Sequence, residues 1–379
     1  MATIKEELRD YAQEIGLDLF GVASVEPFDR YLDQLKEREY LYRDRFGHRF
    51  ETWRKFADPK SIMVDAKSLI VIGFYYLTPD ERSDALKGKI GRIVTYGHLG
   101  ILKRAKLLQQ FLETRGHKVI IGAHRKEAAI RAGLGQVGKN SLVINEKFGT
   151  WVAYQSLITD VEMEFDAPYE KNLCEDCHAC LDSCPNHALY EPYKLNPQKC
   201  IACMLTSDDI PEAAWDRLNG YLLGCDICQK VCPKNKGIMP KQEVESILPN
   251  WMGTTPSLDQ MLILSESTFH RDIISHIMGR VLDNQLLRIL VKYKWLQKAY
   301  KLFASNKVKN EKEILPETFI YASSKLKEYQ RNAILASGIS GEKRIISKLK
   351  KFSNHPELGK YARWSLDRLE SGQDRIKET

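Results

Sequence analysis

The chain has 379 residues, which is too long for one small domain, and ordinary domain sizes predict two or three compact units. Hydrophobic residues make up 43% of it, enough for real cores, and no apolar run is long enough for a transmembrane helix. Charges within the first sixteen residues exclude a secretory signal peptide. We therefore expect a cytoplasmic protein without a membrane partner, in which thiols stay reduced.

The net charge of +7 is unevenly placed along the chain. Residues 292–351 contain 15 Lys and Arg against 5 Asp and Glu, whereas the remaining residues sum to about −3. Such an asymmetry indicates an anionic partner for the C-terminal part. The plainer alternative is a solvated face of ordinary helices.

The first 165 residues alternate between helical and strand patterns, which predicts an α/β domain built on a mixed sheet. The run of residues 68–76 is apolar throughout, as in a strand that is covered on both faces. The other predicted strands are residues 17–25, 118–121, 142–144 and 150–158. The predicted helices are residues 4–16, 31–56, 99–114 and 126–132.

The chain turns helical and repetitive after residue 240, and this favours an all-α, HEAT-like repeat domain over residues 241–379. A ferredoxin-like α+β segment, residues 166–240, separates it from the α/β domain. The predicted helices of the last domain are residues 284–304, 326–339, 343–352 and 358–369.

All nine cysteines lie between residues 174 and 232. The run Cys174-x2-Cys177-x2-Cys180-x3-Cys184-Pro185 is the one by which bacterial ferredoxins hold [4Fe–4S] clusters, with its fourth cysteine reaching the neighbouring cluster. A second run, Cys225-x2-Cys228-x3-Cys232-Pro233, has Leu222 in place of its first cysteine. The missing ligand must therefore come from Cys200 or Cys203.

The same cross-over divides the ligands between two clusters. The first cluster takes Cys174, Cys177, Cys180 and Cys232, and the second takes Cys184, Cys225, Cys228 and one of Cys200 or Cys203. Zinc sites usually appear as two spaced CxxC pairs, and disulfide frameworks usually belong to short secreted chains. The pattern therefore favours two iron–sulfur clusters over both alternatives.

Gly133, Gly135 and Gly138 form a G-x-G-x-x-G pattern, but they precede strands instead of joining a strand to a helix. The context of a dinucleotide-binding loop is thus absent. Glycines at this density let the backbone approach a flat, bulky ligand or another chain segment closely. The alternative is a tight connection that carries packing glycines.

This combination of segments resembles the epoxyqueuosine reductase family, which is related to corrinoid-dependent reductive dehalogenases. The matching stretches are residues 56–76 (FADPKSIMVDAKSLIVIGFYY), 131–140 (RAGLGQVGKN), 174–185, 223–235 (LGCDICQKVCPKN) and 330–335 (QRNAIL). Together they extend over most of the chain.

The resemblance implies a nitroreductase-like first domain that holds cobalamin with its lower base displaced, next to two clusters that supply electrons. It selects Cys200 as the remaining cluster ligand. It implies cobalamin contacts from Tyr96, Gly97, Gly133, Gly135 and Gly138, and from Lys139 and Asn140. Its expected partners are tRNA and a flavodoxin- or ferredoxin-type electron donor.

Two motifs of the family are absent from this chain. The family's G-x-D-Y-H motif is replaced by residues 96–100 (YGHLG), and the segment with its catalytic aspartate is replaced by residues 119–125 (VIIGAHR). Opening an epoxide to an alkene and water needs a proton donor. His124 and His98 are the candidates for catalysis, with Glu127 as a further substitute.

The sequence leaves three functions open. The first is a cobalamin-dependent iron–sulfur reductase of a tRNA nucleoside, and the second is a reductase of the same kind that acts on a small molecule such as an organohalide. The third is a non-enzymatic electron carrier, or a reductase for the corrinoid of another protein. The missing aspartate favours the second function, whereas the basic C-terminal part favours the first.

Overall fold

The structure is a computed structural model that describes residues 2–79, 84–281 and 326–372. Its chain divides into two compact units, each assembled from separate segments. The first unit contains Met1–Thr78, Gly100–Cys200 and Ile227–Val244, and the second contains Pro79–Leu99, Ile201–Asp226 and the chain from Glu245 onward.

The first unit begins with a capped amphipathic helix. The Thr3 hydroxyl accepts the Glu6 N–H at 3.3 Å and the Glu6 carboxylate accepts the Thr3 N–H at 2.7 Å, a capping box that fixes the helix start. Leu8 and Ala12 form its buried face. The helices of this unit are α1 Ile4–Glu14, α2 Asp29–Glu37, α3 Glu39–Phe46, α4 His48–Phe56, α5 Pro59–Ile62, α6 His98–Glu113, α7 Arg125–Arg131 and α8 Ala179–Asp182.

Short and long strands alternate with these helices. The strands are β1 Leu19–Ala23, β2 Ser68–Tyr75, β3 Lys89–Ile90, β4 Val119–Ile121, β5 Gln136–Val137, β6 Val143–Ile144, β7 Val152–Thr159, β8 Leu189–Glu191, β9 Lys194–Leu195 and β10 Tyr221–Leu223. A four-stranded sheet in the order β1-β2-β7-β4 forms the centre of the first unit. All eight residues of β2 are buried, as its apolar run predicts, and α7 packs on the sheet over a core that includes Leu69, Val71 and Ile158.

The prediction of a mixed sheet is wrong for this unit. The pairs β1–β2, β2–β7 and β4–β7 are all antiparallel. A run of buried apolar residues shows that a strand is covered on both faces, but it carries no information about the direction of the neighbouring strands. The two-stranded pairs β5–β6 and β8–β9 are antiparallel as well.

The second unit contains a short parallel pair, β3–β10, and a set of helices. A π-helical turn, Ile93–Gly97, leads directly into α6. The helices of this unit and of the cysteine-rich stretch are α9 Ile201–Met204, α10 Ile227–Lys230, α11 Leu258–Leu262, α12 Glu266–Thr268, α13 Ser275–Val281, α14 Leu326–Ser340, α15 Ile346–Leu349 and α16 Gly359–Ser371. Helices α14 and α16 pack against each other, and the Ser365 hydroxyl donates to the Ile334 carbonyl at 2.8 Å between them.

After residue 240 the regular elements of the described part are helical, as predicted, but they begin only at Leu258, and residues 241–257 contain no helix. Shorter turns complete it: a second π-helical turn, Phe269–Ile274, and the 3-10 turns Lys343–Ile345 and Lys350–Phe352. Two further 3-10 turns, Glu212–Arg217 and Pro233–Asn235, lie in the cysteine-rich stretch. The helix predicted for residues 284–304 lies outside the described residues. Among the helices that are described, none has the length and apolar character to cross a membrane.

Candidate functional site

Four cysteines from two distant parts of the sequence line one pocket of the first unit. Cys174, Cys177, Cys180 and Cys232 surround a cavity of about 320 Å³, together with Lys139 and Asn140. Burial, and after it the nearby sulfurs of Cys174, Cys232 and Cys177, raises the pKa of the Cys180 thiol to about 11. The structure thus brings together the four residues that the spacing assigns to the first cluster.

The loop around Cys174 is shaped by local hydrogen bonds. The Asn172 carboxamide oxygen accepts the N–H groups of Cys174 at 3.2 Å and of Glu175 at 3.3 Å, and the Cys177 N–H donates to the Cys174 carbonyl at 2.9 Å. Cys180 follows on α8 and is almost fully buried. A short side chain that captures successive N–H groups is a common way to build such a tight loop.

The residues of RAGLGQVGKN hold this loop from the other side. The Lys139 N–H donates to the Cys174 sulfur at 3.4 Å, and its ammonium donates to the Glu175 carbonyl at 2.7 Å. The Asn140 carboxamide donates to the Cys228 carbonyl at 3.4 Å. Lys139 and Asn140 are both nearly buried, so the two residues predicted to contact cobalamin direct these polar groups to cysteine loops.

The glycines of this stretch allow chain segments to approach closely. Gly133 and Gly135 have φ values of 72° and 153°, which favour glycine. A Cβ at Gly133 would lie 2.5 Å from the Ala167 carbonyl oxygen, and one at Gly135 would lie 2.4 Å from that of Ile144. At Gly138 it would meet the Ile144 side chain at 2.7 Å. Packing against the chain itself therefore accounts for these glycines, and a cobalamin contact stays a prediction.

A network of polar side chains, which the sequence does not reveal, holds the segment of Cys232, the last of the four cysteines that line the pocket. The Asn235 carboxamide accepts the Thr150 N–H at 2.8 Å and donates to the Gln229 carbonyl at 2.6 Å. The hydroxyls of Thr150 and Tyr76 both donate to the Gln229 carboxamide oxygen at 3.1 Å. These bonds attach the segment of Cys232 to the start of β7. Nothing in the spacing of the motif indicates them.

The other cysteines are placed as follows. In the first unit the Cys184 sulfur accepts the Ala188 N–H at 3.3 Å, and Cys200 and Cys228 are partly exposed. In the second unit Cys203 lies on α9 and Cys225 closely follows β10. Asp226, beside Cys225, is 1% exposed and accepts the Arg92 N–H at 3.0 Å and its guanidinium at 3.4 Å.

The donor set at the pocket fits an iron–sulfur cluster. No disulfide joins any of the nine cysteines, all of which the structure describes, and soft thiolate ligands suit iron–sulfur clusters. Within the described ranges no three Cys, His, Asp or Glu side chains converge on one point as a single ion requires. The four ligands of a [4Fe–4S] cubane need not converge on one point, because each thiolate binds a different iron atom.

His124 caps helix α7. Its Nδ1 accepts the Glu127 N–H at 3.3 Å, and its ring stacks on Tyr31 with centroids 3.5 Å apart. Burial, with the cations of Lys126, Arg125 and Arg30, lowers the pKa of His124 well below its usual 6.5. The imidazole is therefore neutral at pH 7 and carries its proton on Nε2.

The loop that contains His124 is firmly attached to the sheet. The buried Ser156 hydroxyl donates to the carbonyls of Gly122 at 2.6 Å and Ala123 at 3.1 Å, and the His124 N–H donates to the Phe56 carbonyl at 2.8 Å. Ala123 has a φ of 80°, which is uncommon for a residue other than glycine.

The remaining predicted residues lie in the π-helical turn and at the start of α6. Tyr96 and His98 are partly exposed and Gly97 is buried. π-Helical turns occur frequently at functional sites.

Comparisons with known proteins agree with this geometry. A model described as a 4Fe–4S double cluster binding domain matches residues 173–235. The epoxyqueuosine reductase of Staphylococcus aureus is 32% identical over 296 residues, which are 73% of this chain and 75% of that protein. The chain belongs to the epoxyqueuosine reductase family.

Solved structures of epoxyqueuosine reductases share the fold. The structure from Bacillus subtilis, in which the catalytic aspartate loop is swung out of the active site, is 25% identical with a TM-score of 0.69, and the match covers 97% of this chain and 99% of that one. An epoxyqueuosine reductase with an epoxyqueuosine-modified tRNA stem loop is 24% identical with a TM-score of 0.68, at the same coverage.

This family member differs at the segment where the sequence resemblance places the aspartate. Residues 119–125 form β4, its following loop and the first residue of α7, and none of them is a carboxylate. The nearest acidic residue along the chain is Glu127, whose carboxylate pairs with Arg30 at 3.2 Å.

Proposed function

We propose that this protein reduces epoxyqueuosine to queuosine in tRNA, using two [4Fe–4S] clusters and cobalamin. The observation that carries the proposal is the attachment of RAGLGQVGKN to the cysteine loops through Lys139 and Asn140. It joins the family's most specific sequence motif to the residues that would bind the first cluster. Membership of the family supplies the reaction, since its curated members are epoxyqueuosine reductases.

The cofactors would be held by three parts of the chain. Residues 1–165 would form a nitroreductase-like, cobalamin-binding domain, residues 166–240 the ferredoxin-type domain, and residues 241–379 a HEAT-like repeat domain. The second cluster would take Cys184, Cys200, Cys225 and Cys228. Cobalamin, when bound, would supply a low-potential metal centre, and the residues proposed to contact it are Tyr96, Gly97, Gly133, Gly135, Gly138, Lys139 and Asn140.

The reaction requires electrons and protons in equal number. Conversion of the epoxide to an alkene breaks both C–O bonds, consumes two electrons and two protons, and releases the oxygen as water. An external flavodoxin- or ferredoxin-type donor would supply the electrons to the clusters. The protons must come from the protein or from solvent, because the motif with the family's aspartate is absent.

His124 and His98 are the proposed proton donors. A neutral His124 holds only its Nε2 proton, which is a weak acid, so it would hydrogen-bond to the departing oxygen and give up the proton only as that oxygen becomes strongly basic. His98 lies at the start of α6, next to the motif that replaces the family's G-x-D-Y-H. Glu127 remains a further candidate, with its carboxylate paired to Arg30.

The substrate would be presented as an unpaired nucleoside. A solved relative contains an epoxyqueuosine-modified tRNA stem loop. A base in a loop can be turned out of its stack toward a cofactor, whereas a base within a helix cannot reach one.

A direct assay tests the proposal. The full chain is reconstituted anaerobically with iron, sulfide and cobalamin, and is given an RNA stem loop with epoxyqueuosine and a chemical reductant. We expect a product lighter by one oxygen atom, detected by mass spectrometry of the nucleosides. A Cys177→Ser variant, which would lose the first cluster, is the control and should give no product.

Two results would contradict the proposal. Protein with about eight irons and bound cobalamin that gives no product would favour reduction of a small molecule. Protein with intact clusters that fails to bind cobalamin, and gives no base-off spectrum, would favour an electron carrier.

A further inference from the structure

Arg331 of helix α14 is a buried cation without a surface role. It is 2% exposed, although it belongs to the basic stretch whose charge indicates an anionic partner. Its guanidinium donates to three backbone carbonyls: Leu205 at 3.1 Å, Ser207 at 2.7 Å and Asp208 at 3.0 Å. A phosphate group therefore has no access to it.

The next residue, Asn332, extends the same set of bonds. It is 1% exposed, and its carboxamide donates to the carbonyls of Leu205 at 3.0 Å and Leu222 at 2.9 Å. Its oxygen accepts the Arg331 Nε–H at 3.0 Å. The two side chains form one bonded pair, which we call the Arg–Asn clamp.

The clamp holds two segments that are far apart in sequence, one that begins five residues after Cys200 and one that lies directly before Cys225. Leu205 directly follows helix α9, which begins immediately after Cys200 and contains Cys203. Leu222 is in the middle of β10, three residues before Cys225. All five hydrogen bonds to backbone carbonyls end on these two segments.

A second buried cation fixes the other side of Cys225. Asp226 is bonded to both the backbone and the guanidinium of Arg92, and the pair is almost fully buried. Leaving either partner of such a pair alone in the interior is strongly unfavourable. The Cys225 loop is therefore held at Leu222 by the clamp and at Asp226 by Arg92.

A general packing role does not account for this choice of residues. An apolar side chain would fill the same space without the cost of burying a guanidinium. The planar guanidinium of Arg331 instead presents several N–H donors in a fixed arrangement and so holds three carbonyls of residues 205–208 in one geometry. The Asn332 carboxamide adds a bond to a second segment, at Leu222.

We propose that Arg331 and Asn332 are positioning residues for Cys225, a proposed ligand of the second [4Fe–4S] cluster, acting through β10 and through residues 205–208 of the same unit. This proposal rests on the cluster assignment given above, but not on the substrate. The clamp holds in place the backbone that leads into Cys225, so that a cluster bound by Cys225 resists loss of iron. The Arg331 guanidinium also keeps a positive charge in the interior of the second unit, and this charge favours the reduced cluster, which is the more negative one.

The test uses anaerobically reconstituted full-length protein and does not depend on activity. Arg331→Met removes the three donors at similar length, Arg331→Lys keeps the charge but not the fork, and Asn332→Asp replaces the two donated bonds by a carboxylate of the same size. Gln330→Met is the matched control, because Gln330 lies on the same helix and donates one bond at 2.9 Å to Leu264, in a segment without cysteines.

Three measurements are made on each variant: the rate of iron loss to a chelator, the midpoint potentials of the clusters, and backbone hydrogen exchange. In Arg331→Met we expect about four of about eight irons to be released roughly ten-fold faster or more, since charged hydrogen bonds are removed. Exchange should increase over residues 205–208 and 221–223. The second cluster's midpoint potential should fall in Arg331→Met and change less in Arg331→Lys.

The remaining irons and the Gln330→Met variant should behave as in the parent protein. Iron loss in Arg331→Met that is no faster than in Gln330→Met would overturn the proposal. The proposal would also be overturned if Arg331→Lys and Asn332→Asp released the irons of both clusters equally faster, because the clamp would then stabilise the fold in general. Cys225→Ser tests the assignment separately: if it keeps about eight irons, the ligand set is wrong whatever the clamp does.

Discussion

Lys139 combines two tasks at the candidate site. Its N–H donates to the Cys174 sulfur, and its ammonium donates to the carbonyl of Glu175, a residue with a φ of 43°. The ammonium reaches that carbonyl at 2.7 Å, and its charge lies next to the pocket proposed for the first cluster. The side chain therefore stabilises an uncommon backbone conformation, and its charge would favour the reduced state of a cluster bound in that pocket.

We expect Lys139→Met to lower the free energy of unfolding by about 1–2 kcal/mol, because a charged hydrogen bond is removed. The midpoint potential of the first cluster should fall as well, since the cation no longer favours the reduced state. Anaerobic chemical denaturation and a redox titration measure the two effects. Lys139→Arg, which keeps the charge, is the control, and an unchanged potential in Lys139→Met would contradict the expectation.

The contacts of His124 predict that its ring contributes to the free energy of unfolding, whatever its part in catalysis. His124→Ala removes the cap of α7 and the stacking on Tyr31, and it should cost about 1–2 kcal/mol in thermal or chemical unfolding. His124→Asn keeps a capping oxygen and should recover about half of that loss. Turnover of the stem loop by folded His124→Asn tests its chemistry: full activity excludes proton transfer from the imidazole, and loss of activity retains His124 as the donor.

At the scale of elements, the proposed first cluster would be bound by loops that are far apart in sequence. Cys174, Cys177 and Cys180 share one pocket with Cys232. Cys174→Ser and Cys232→Ser should each remove about four irons, and the double variant should remove no more than either alone. Iron and sulfide analysis measures this. Cys203→Ala should leave the iron content unchanged, and a loss there, with retention in Cys200→Ala, would reverse the ligand assignment.

The network around Asn235 attaches the second of these loops to β7. Asn235→Asp has the same shape but turns the donated bond to the Gln229 carbonyl into a repulsive contact. We expect a decrease of about 2 kcal/mol in the free energy of unfolding, and faster iron loss from the cluster of Cys232. Lys236→Met is an exposed control one residue away and should change stability by less than about 0.5 kcal/mol.

Several elements could be predicted from the sequence because their signals are local. The apolar run of β2 and the spacing of α6 give the correct element within one or two residues. Strand direction could not be predicted, since it depends on which distant strands pair. The π-helical turn Ile93–Gly97 has no pattern of its own. Cysteine spacing identified the pocket, whereas the roles of Lys139 and Asn235 depend on bonds across 36 and 85 residues.

For the molecule as a whole, the charge counted along the sequence predicts a nucleic-acid surface less well than the exposure and pairing of each charged side chain. Arg331 contributes to the basic stretch in sequence but lies in the interior. Lys327 pairs with Glu357 at 2.6 Å, and Lys348 pairs with Asp259 at 2.6 Å. The excess of +10 over residues 292–351 therefore overstates the charge that the described part can offer to a phosphate backbone.

The exposed cations around α15 provide the sharpest test of a tRNA partner. Lys343 and Lys351 are exposed, and within residues 2–79, 84–281 and 326–372 neither has an ion-pair partner. Each phosphate that a lysine neutralises releases counterions, so the slope of log affinity against log salt should decrease by about 0.7–0.9 for each such lysine that is replaced. We expect this change for Lys343→Gln and Lys351→Gln, measured by stem-loop binding at several salt concentrations.

Lys348→Gln is the matched control for that measurement. It removes the same charge from the same segment, but its ammonium is already paired with Asp259, so the slope should change much less. Iron content should stay the same in all three variants, because none of these lysines lies in the cysteine-rich stretch. Equal changes in Lys351→Gln and Lys348→Gln would mean that net charge alone governs binding. No change in any variant would place the tRNA contact elsewhere on the molecule.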